Sequence, residues 1–289
     1  LEFAETLDIG GYELSIEPMT PADIPRLHEL SVAVSWPHRA DDWAMVIGLG
    51  HGWVARDQIG RIFGSAMWFP FSRTVASIGM VITSPRLQDQ GAGRWLMRRV
   101  LDETQGRARV LNATKEAFRL YVSLGFKTLA PVAQRNGIVT ACPDFGTGAR
   151  PMRDADRTRI LELDTNAMGV ARPEVMWAIL GVSEGMVIER EGRITGFALM
   201  RHFGRGRVIG PIVAESEQDA IALCGPFVAA HQGDFLRVDT REPEGTPFTD
   251  FLSAAGIVPY DAVQRMSLEP LPEPTGPART FGLINQALG

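Results

Sequence analysis

The chain has 289 residues, 45% hydrophobic and 22% charged, which suits two globular domains and excludes a disordered chain. A formal net charge of −5 supplies no overall basic character, so no nucleic-acid partner is expected. No apolar run approaches the roughly 20 residues of a bilayer span, and no basic stretch followed by an apolar one opens the chain as a signal peptide would. The two cysteines, Cys142 and Cys224, belong to no C-x-x-C pair and read as reduced packing residues. The expectations are a cytoplasmic protein with no membrane association and no metal.

In chain order, Tyr12 to Glu17 is a short strand. Thr20 and Pro21 then open a helix to Ser31 through Ile24, Leu27 and Leu30. A second short helix runs from Asp41 to Ile47. Strands follow at Gly52 to Arg56, Arg61 to Phe69 and Thr74 to Thr83, the first two joined by a turn at Gly60. Gly91 to Glu103 is a helix, with Leu96, Met97, Val100 and Leu101 on one stripe. Arg109 to Asn112 is a strand, Lys115 to Leu124 a helix, and Phe126 to Ala133 a last strand. This order implies an α/β fold, with a mixed sheet and helices on both faces.

The pattern then repeats. EPMTPADIPRLHEL from Glu17 matches RPMRDADRTRILEL from Arg150. GRIFGSAM from Gly60 matches GRITGFAL from Gly192, and LYVSLGF from Leu120 matches FLSAAGI from Phe251. Three matches in one order at nearly constant offset indicate one duplicated domain, whose period is far longer than that of a solenoid repeat. Residues 136–150, NGIVTACPDFGTGAR, are rich in glycine and turn residues and mark the join. The expected division is 1–137, a linker at 138–149, and 150–289. The second copy reads as strands near Met186 to Glu191, Arg193 to His202, Val208 to Val213 and Phe235 to Thr240. Its helices fall near Ser216 to His231 and Pro247 to Ala255.

Between the strand ending at Thr83 and the helix from Gly91 lies Ser84-Pro85-Arg86-Leu87-Gln88-Asp89-Gln90-Gly91-Ala92-Gly93. Glycines let a ligand approach the backbone, and the unpaired N–H groups of a first helical turn suit a pyrophosphate. With LYVSLGF one strand and one helix downstream, the first copy resembles the GNAT superfamily of acyl-CoA N-acyltransferases. Gln88, Gly91 and Gly93 match its (Gln or Arg)-x-x-Gly-x-(Gly or Ala) loop, and Leu120, Tyr121, Gly125 and Phe126 match its late helix signature. The duplication extends the resemblance to a tandem type with a degenerate second copy.

The resemblance implies acetyl-CoA as cosubstrate. The loop Gln88, Asp89, Gln90, Gly91, Ala92, Gly93 and Arg94 would hold its phosphates, the backbone of Met80, Val81, Ile82 and Thr83 would pair with its pantetheine arm, and Thr114 would stand where many members have Asn. A backbone N–H there would polarise the thioester carbonyl. Tyr121 would be the general acid for the departing thiolate. The implied reaction is N-acetylation of a small-molecule amine by direct attack in a ternary complex. A longer acyl group, or an acyl-CoA sensor without turnover, stays open.

The general base is not fixed. His38, in SWPHRADDW with Asp41 and Asp42, is the candidate, while Asp42 also reads as a helix N-terminal acid. Trp36, Trp43, Trp68 and Phe69 fit either an acceptor pocket or a core. Arg98 fits either a coenzyme phosphate or a solvated helix face. In the second copy the loop position reads ESEQDAIAL, without a glycine pair, and the tyrosine position holds Leu252. That copy is expected to bind no acetyl-CoA. Completing the acceptor pocket, covering the first sheet and mediating a homodimer are the roles open to it.

Overall fold

The structure, a computed structural model, describes residues 6–289. The first half runs β1 (Thr6–Ile9), β2 (Tyr12–Pro18), α1 (Ile24–Ala33), α2 (Ala40–Leu49), β3 (His51–Asp57), β4 (Ile62–Phe71), β5 (Val75–Thr83), α3 (Ala92–Glu103), β6 (Ala108–Ala113), α4 (Phe118–Ser123) and β7 (Lys127–Ile138). The second half repeats this order with β8 (Ala149–Pro151), α5 (Arg157–Met168), α6 (Pro173–Val182), β9 (Glu184–Arg190), β10 (Arg193–Phe203), β11 (Gly206–Ala214), α7 (Glu217–Ala230), β12 (Phe235–Thr240), α8 (Pro247–Ala254) and β13 (Val258–Ser267). A short β14 (Arg279–Gly282) has no counterpart in the first half.

Both copies open α1 and α5 in the same way. The Asp23 carboxylate accepts from the Thr20 N–H at 2.9 Å, and the Asp156 carboxylate from the Arg153 N–H at 2.7 Å. Each ties down the chain just ahead of a helix.

All strands belong to one mixed sheet, ordered β1-β2-β3-β4-β5-β6-β13-β7-β12-β11-β10-β9-β8, with β14 beside β11. The halves exchange strands. β13 of the second half lies between β6 and β7 of the first, and β7 pairs antiparallel with β12. Val132 and Val263, 131 residues apart like Gly125 and Gly256, are Cα partners in the β7–β13 ladder. A local pseudo-twofold axis therefore passes through this pair, and both valines are buried with Leu283.

Helices α1, α2, α5 and α6 cover one face with a core shared by the two halves, including Leu27, Trp43, Phe69, Ile160, Ile179 and Phe197. The other face carries two separate cores. One lies beneath α3 and α4 (Leu96, Met97, Tyr121, Phe126), the other beneath α7 and α8 (Leu223, Phe227, Phe248, Leu252). Strand β7 runs five residues beyond the expected Ala133, because its outer half pairs with β12, a partner invisible in the local sequence. Helix α4 begins at Phe118 rather than Lys115, since Thr114 Oγ1 accepts from the Ala117 N–H at 3.4 Å and holds a turn there.

Candidate active site

The site begins with a defect in β5. Ser65 pairs with Ile82 but Met67 pairs with Gly79, so β5 carries one extra residue against β4. Met80 takes φ +52° at this bulge, and its carbonyl accepts a hydrogen bond from Ser65 Oγ at 2.8 Å. A bulge bends its strand. Accordingly β5 and β6 pair in parallel only from Val75/Ala108 to Ile78/Leu111 and then diverge. The backbone of Met80, Val81, Ile82 and Thr83 faces that opening, as an extended amide-bearing ligand arm requires.

The opening leads to the N-terminus of α3. Gly91 is its N-cap at φ +99°, a conformation that favours glycine, and it has no side chain to cap the helix. The N–H groups of Ala92, Gly93 and Arg94 thus have no partner within the helix. A Cβ on Gly93 would meet Leu120 Cδ2 and Thr83 Oγ1, each at 3.3 Å, so this glycine lets α3, α4 and the end of β5 converge. Arg94 Nη2 donates to Ser123 Oγ at 2.6 Å, tying α3 to α4. Gln88 Nε2 donates to the Thr83 carbonyl at 3.3 Å, Gln90 Nε2 donates to the Arg86 carbonyl at 3.0 Å, and Asp89 takes φ +61°. These contacts build a cradle with open backbone donors, which fits a pyrophosphate.

Tyr121 lies in the core beneath α3, its ring edge-on to Phe126 at 5.9 Å between centroids. Burial pushes its phenol pKa well above the ordinary value, so it stays protonated.

Across the sheet, a cavity of about 330 Å³ opens between the two halves. The first half contributes Trp36 and His38 from the segment before α2, Gly79 and Met80 at the bulge, Asn112, Thr114 and Glu116 at the end of β6, and Gln134 and Asn136 from β7. The second half contributes Phe203 and Arg205 from the β10–β11 turn, Arg237 from β12, Tyr260 and Asp261 from β13, and Asn285 to Ala287. That last segment is anchored to the vertex of the opening: Ser77 Oγ donates to the Ala287 carbonyl and Asn112 Nδ2 to the Gln286 carbonyl, both at 2.6 Å.

His38 is half-buried, and its Nδ1 is shielded without a partner among the described residues. Burial, then the Arg237 guanidinium, push its pKa down to about 4, so it is neutral and weakly basic. Arg201 donates to the carbonyls of His202 and Ile284 at 3.3 and 3.1 Å. Burial, together with Arg237 and Arg39, outweighs Asp42 and pushes its pKa down to about 10.

Asp42 accepts from the Arg39 N–H at 2.8 Å and from the Gly204 N–H of the other half at 3.1 Å, so it caps α2 and joins the halves. Of the four aromatics left between pocket and core, only Trp36 lines the cavity. Trp43 and Phe69 are buried, and Trp68 Nε1 donates to Glu103 at 2.9 Å. The wall formed by Arg205, Arg237 and residues 285–287 was not anticipated, because the elements supplying it meet the site only through the strand exchange.

The equivalent opening in the second half is filled. β11 and β12 pair only at Arg207/Leu236 and Val208/Arg237 before diverging. Between their ends lies β14, antiparallel to β11 at Ile212/Gly282, Val213/Thr280 and Ala214/Arg279. Leu283 N–H donates to the Asp239 carbonyl at 2.8 Å, and Thr240 Oγ1 to the Phe281 carbonyl at 2.6 Å. At the start of α7, Ser216 Oγ accepts from the Asp219 N–H at 3.2 Å, and Glu217 and Asp219 place negative charge where a phosphate would sit. Leu252, at the position equivalent to Tyr121, is fully buried.

A bulge-splayed parallel strand pair leading to an uncapped glycine-rich helix start is the frame of an acyl-CoA-dependent transferase. Residues 48–128 and residues 160–277 each match an acetyltransferase (GNAT) domain family, together more than two thirds of the chain. The chain belongs to the GNAT acetyltransferase family and carries two such domains in tandem, and acetyl-CoA is the acyl donor that members of the family use. A comparison with curated protein sequences finds no match.

Among solved structures, a putative acetyltransferase from Pyrococcus horikoshii matches with 19% identity and a TM-score of 0.79, covering 96% of both chains. A GCN5-related N-acetyltransferase from Sphaerobacter thermophilus matches at 16% and 0.66, covering 91% of this chain and 98% of its own. A tandem GNAT protein from the clavulanic acid biosynthesis pathway matches at 14% and 0.62, covering 91% of this chain and 100% of its own. At these identities the likeness is one of fold. No helix among the described residues is long and apolar enough to cross a membrane.

Proposed function

We propose that the first half transfers an acetyl group from acetyl-CoA to a primary amine of a small molecule, and that the second half supplies part of the acceptor pocket. The observation that carries this reading is one continuous path. It runs from the open N–H groups of α3, along the unpaired edge of β5, to the bulge at Met80, where the cavity begins.

In this reading the pyrophosphate lies on the first turn of α3, and the pantetheine amides pair with Met80 to Thr83. The acetyl group ends at the bulge, where a backbone N–H polarises its carbonyl. The amine enters from the cavity and attacks the thioester directly. Tyr121, kept protonated by burial, delivers a proton to the leaving thiolate, while the nitrogen releases its proton to water and Tyr121 is reprotonated from solvent. His38 is too weak a base to deprotonate an ammonium efficiently, so the acceptor reacts from its uncharged form.

Calorimetric titration with acetyl-CoA, followed by acetylation assays on small primary amines, tests the proposal. One site per chain and turnover of an amine are expected. No binding at millimolar acetyl-CoA would sink the transferase reading, and two sites per chain would sink the assignment of a single working half.

A further inference from the structure

One buried and one exposed arginine line the acceptor cavity. Arg237 is 7% exposed and lines the cavity. Its Nε and Nη2 donate to the two oxygens of Asp239 at 2.9 and 2.7 Å, and its Nη1 makes no hydrogen bond to the described residues. Behind it the buried Arg201 has no ion pair among the described residues, whereas Arg39 is paired with Asp42. Arg205, at the turn before β11, adds a fourth cation at the rim, without an ion pair among the described residues. The cavity's own carboxylates, Glu116 and Asp261, are exposed, and of its two arginines Arg237 is paired with Asp239 while Arg205 has no carboxylate partner among the described residues.

From this arrangement we infer that the acceptor is an amine bearing an anionic group, a carboxylate or a phosphate monoester, which docks on Arg237 and Arg205. The inference rests on the transferase reading for the role of the amine, though not for the docking of the anion. A guanidinium already held on one side by Asp239 offers its remaining N–H groups in a fixed direction, which favours a planar or tetrahedral oxyanion. The same two cations disfavour ammonium near the bulge and so favour the uncharged nucleophile. An amine without an anionic group meets them with nothing to offset their charge.

The test uses the intact protein and three matched small primary amines, bearing a carboxylate, a phosphate monoester or a neutral amide. Binding is read by calorimetry and turnover by acetyl-CoA consumption. An anionic amine should bind about tenfold to a hundredfold more tightly than the neutral one, as a charge-assisted hydrogen bond allows. The tighter of the two anionic amines identifies the anion. Arg205→Ala, at an exposed position, should remove part of that preference, and Arg237→Gln combined with Asp239→Asn should remove the rest without leaving a lone buried charge. Equal or tighter binding of the neutral amine, or an anionic preference that survives in both variants, overturns the inference. Anionic amines that bind in the expected order but are never acetylated would leave the anion site standing and refute the transferase reading. Acetylation without an anionic preference would do the reverse.

Discussion

Ending the chain at Gly148 would remove β13 and leave β6 and β7 without the strand that joins them. Val263 and Met266 leave with β13. Val132, the Cα partner of Val263, and Leu111, the partner of Met266, lose their cover. At about 1.5–3 kcal/mol for each, the two side chains left uncovered account for about 3–6 kcal/mol, a large share of the whole stability of an ordinary domain, about 5–15 kcal/mol, and the unpaired edges of β6 and β7 add to the loss. The monomeric fragment should therefore not be stably folded. Its remedy is already drawn in the intact chain: β7 of one fragment can take the place of β13 in another, turning the pseudo-twofold axis at Val132 into a true one. Sedimentation of the fragment should show a dimer, and its thermal midpoint should rise with concentration. A monomer at micromolar concentration that melts like the full chain would refute this account of the strand exchange.

The two loop glycines should fail differently. Gly91→Ala meets no neighbour within 4 Å but forces a side chain into φ +99°, costing about 1–2 kcal/mol in thermal unfolding, whereas Gly93→Ala crowds Leu120 and Thr83 at 3.3 Å, pushes α3 from the end of β5 and should weaken acetyl-CoA binding about tenfold by calorimetry. Tyr121→Phe should lower turnover by about tenfold or more with acetyl-CoA affinity nearly unchanged, and an unchanged kcat removes Tyr121 from the mechanism. His38 has a folded pKa of about 4 against an ordinary 6.5, so the native state binds fewer protons between these values and stability falls as pH drops through that window, by at most about 3 kcal/mol. Denaturant titrations from pH 7 to 4 should show that slope, and His38→Gln should flatten it. Ser77→Ala, which removes the hydrogen bond to the Ala287 carbonyl, should weaken amine binding more than acetyl-CoA binding in paired calorimetric titrations, and an equal loss of both would show that residues 285–287 do not belong to the acceptor wall.

Local sequence carried much of the first half. The helix from Gly91, the strand to Thr83 and the cradle between them are set by glycine, by apolar periodicity and by chain order, so they could be read without a partner. The duplication was legible too, because capping residues such as Asp23 and Asp156 hold the same geometry in both copies. Illegible were the features made by one half acting on the other. Nothing around Lys127 announces that β7 will pair with β12, and nothing in VPYDAVQRMS states that β13 will sit between β6 and β7. The Arg237 wall is illegible for the same reason: in its own half Arg237 reads as a strand residue, and only the exchange turns it toward His38.

The filled opening of the second half and the cavity between the halves share one physical cause. Residues 279–282 fill the β11–β12 opening, the counterpart of the opening proposed to take pantetheine in the first half. Having crossed that opening, the chain reaches the vertex of the other, where Ser77 and Asn112 fix residues 286 and 287 as part of the cavity wall. Two sequence features keep the second opening from reverting. Ser216 already caps α7 and its acids repel phosphate, so removing β14 would unpair the backbone of β11 without restoring an anion cradle. The filling of one opening and the walling of the cavity thus run through a single segment. Substitutions in residues 278–289 should act first on acceptor recognition, because Ala287 packs against Gly79 beside the bulge, whereas the hydrogen bonds that hold the α3 end of the cradle come from the first half.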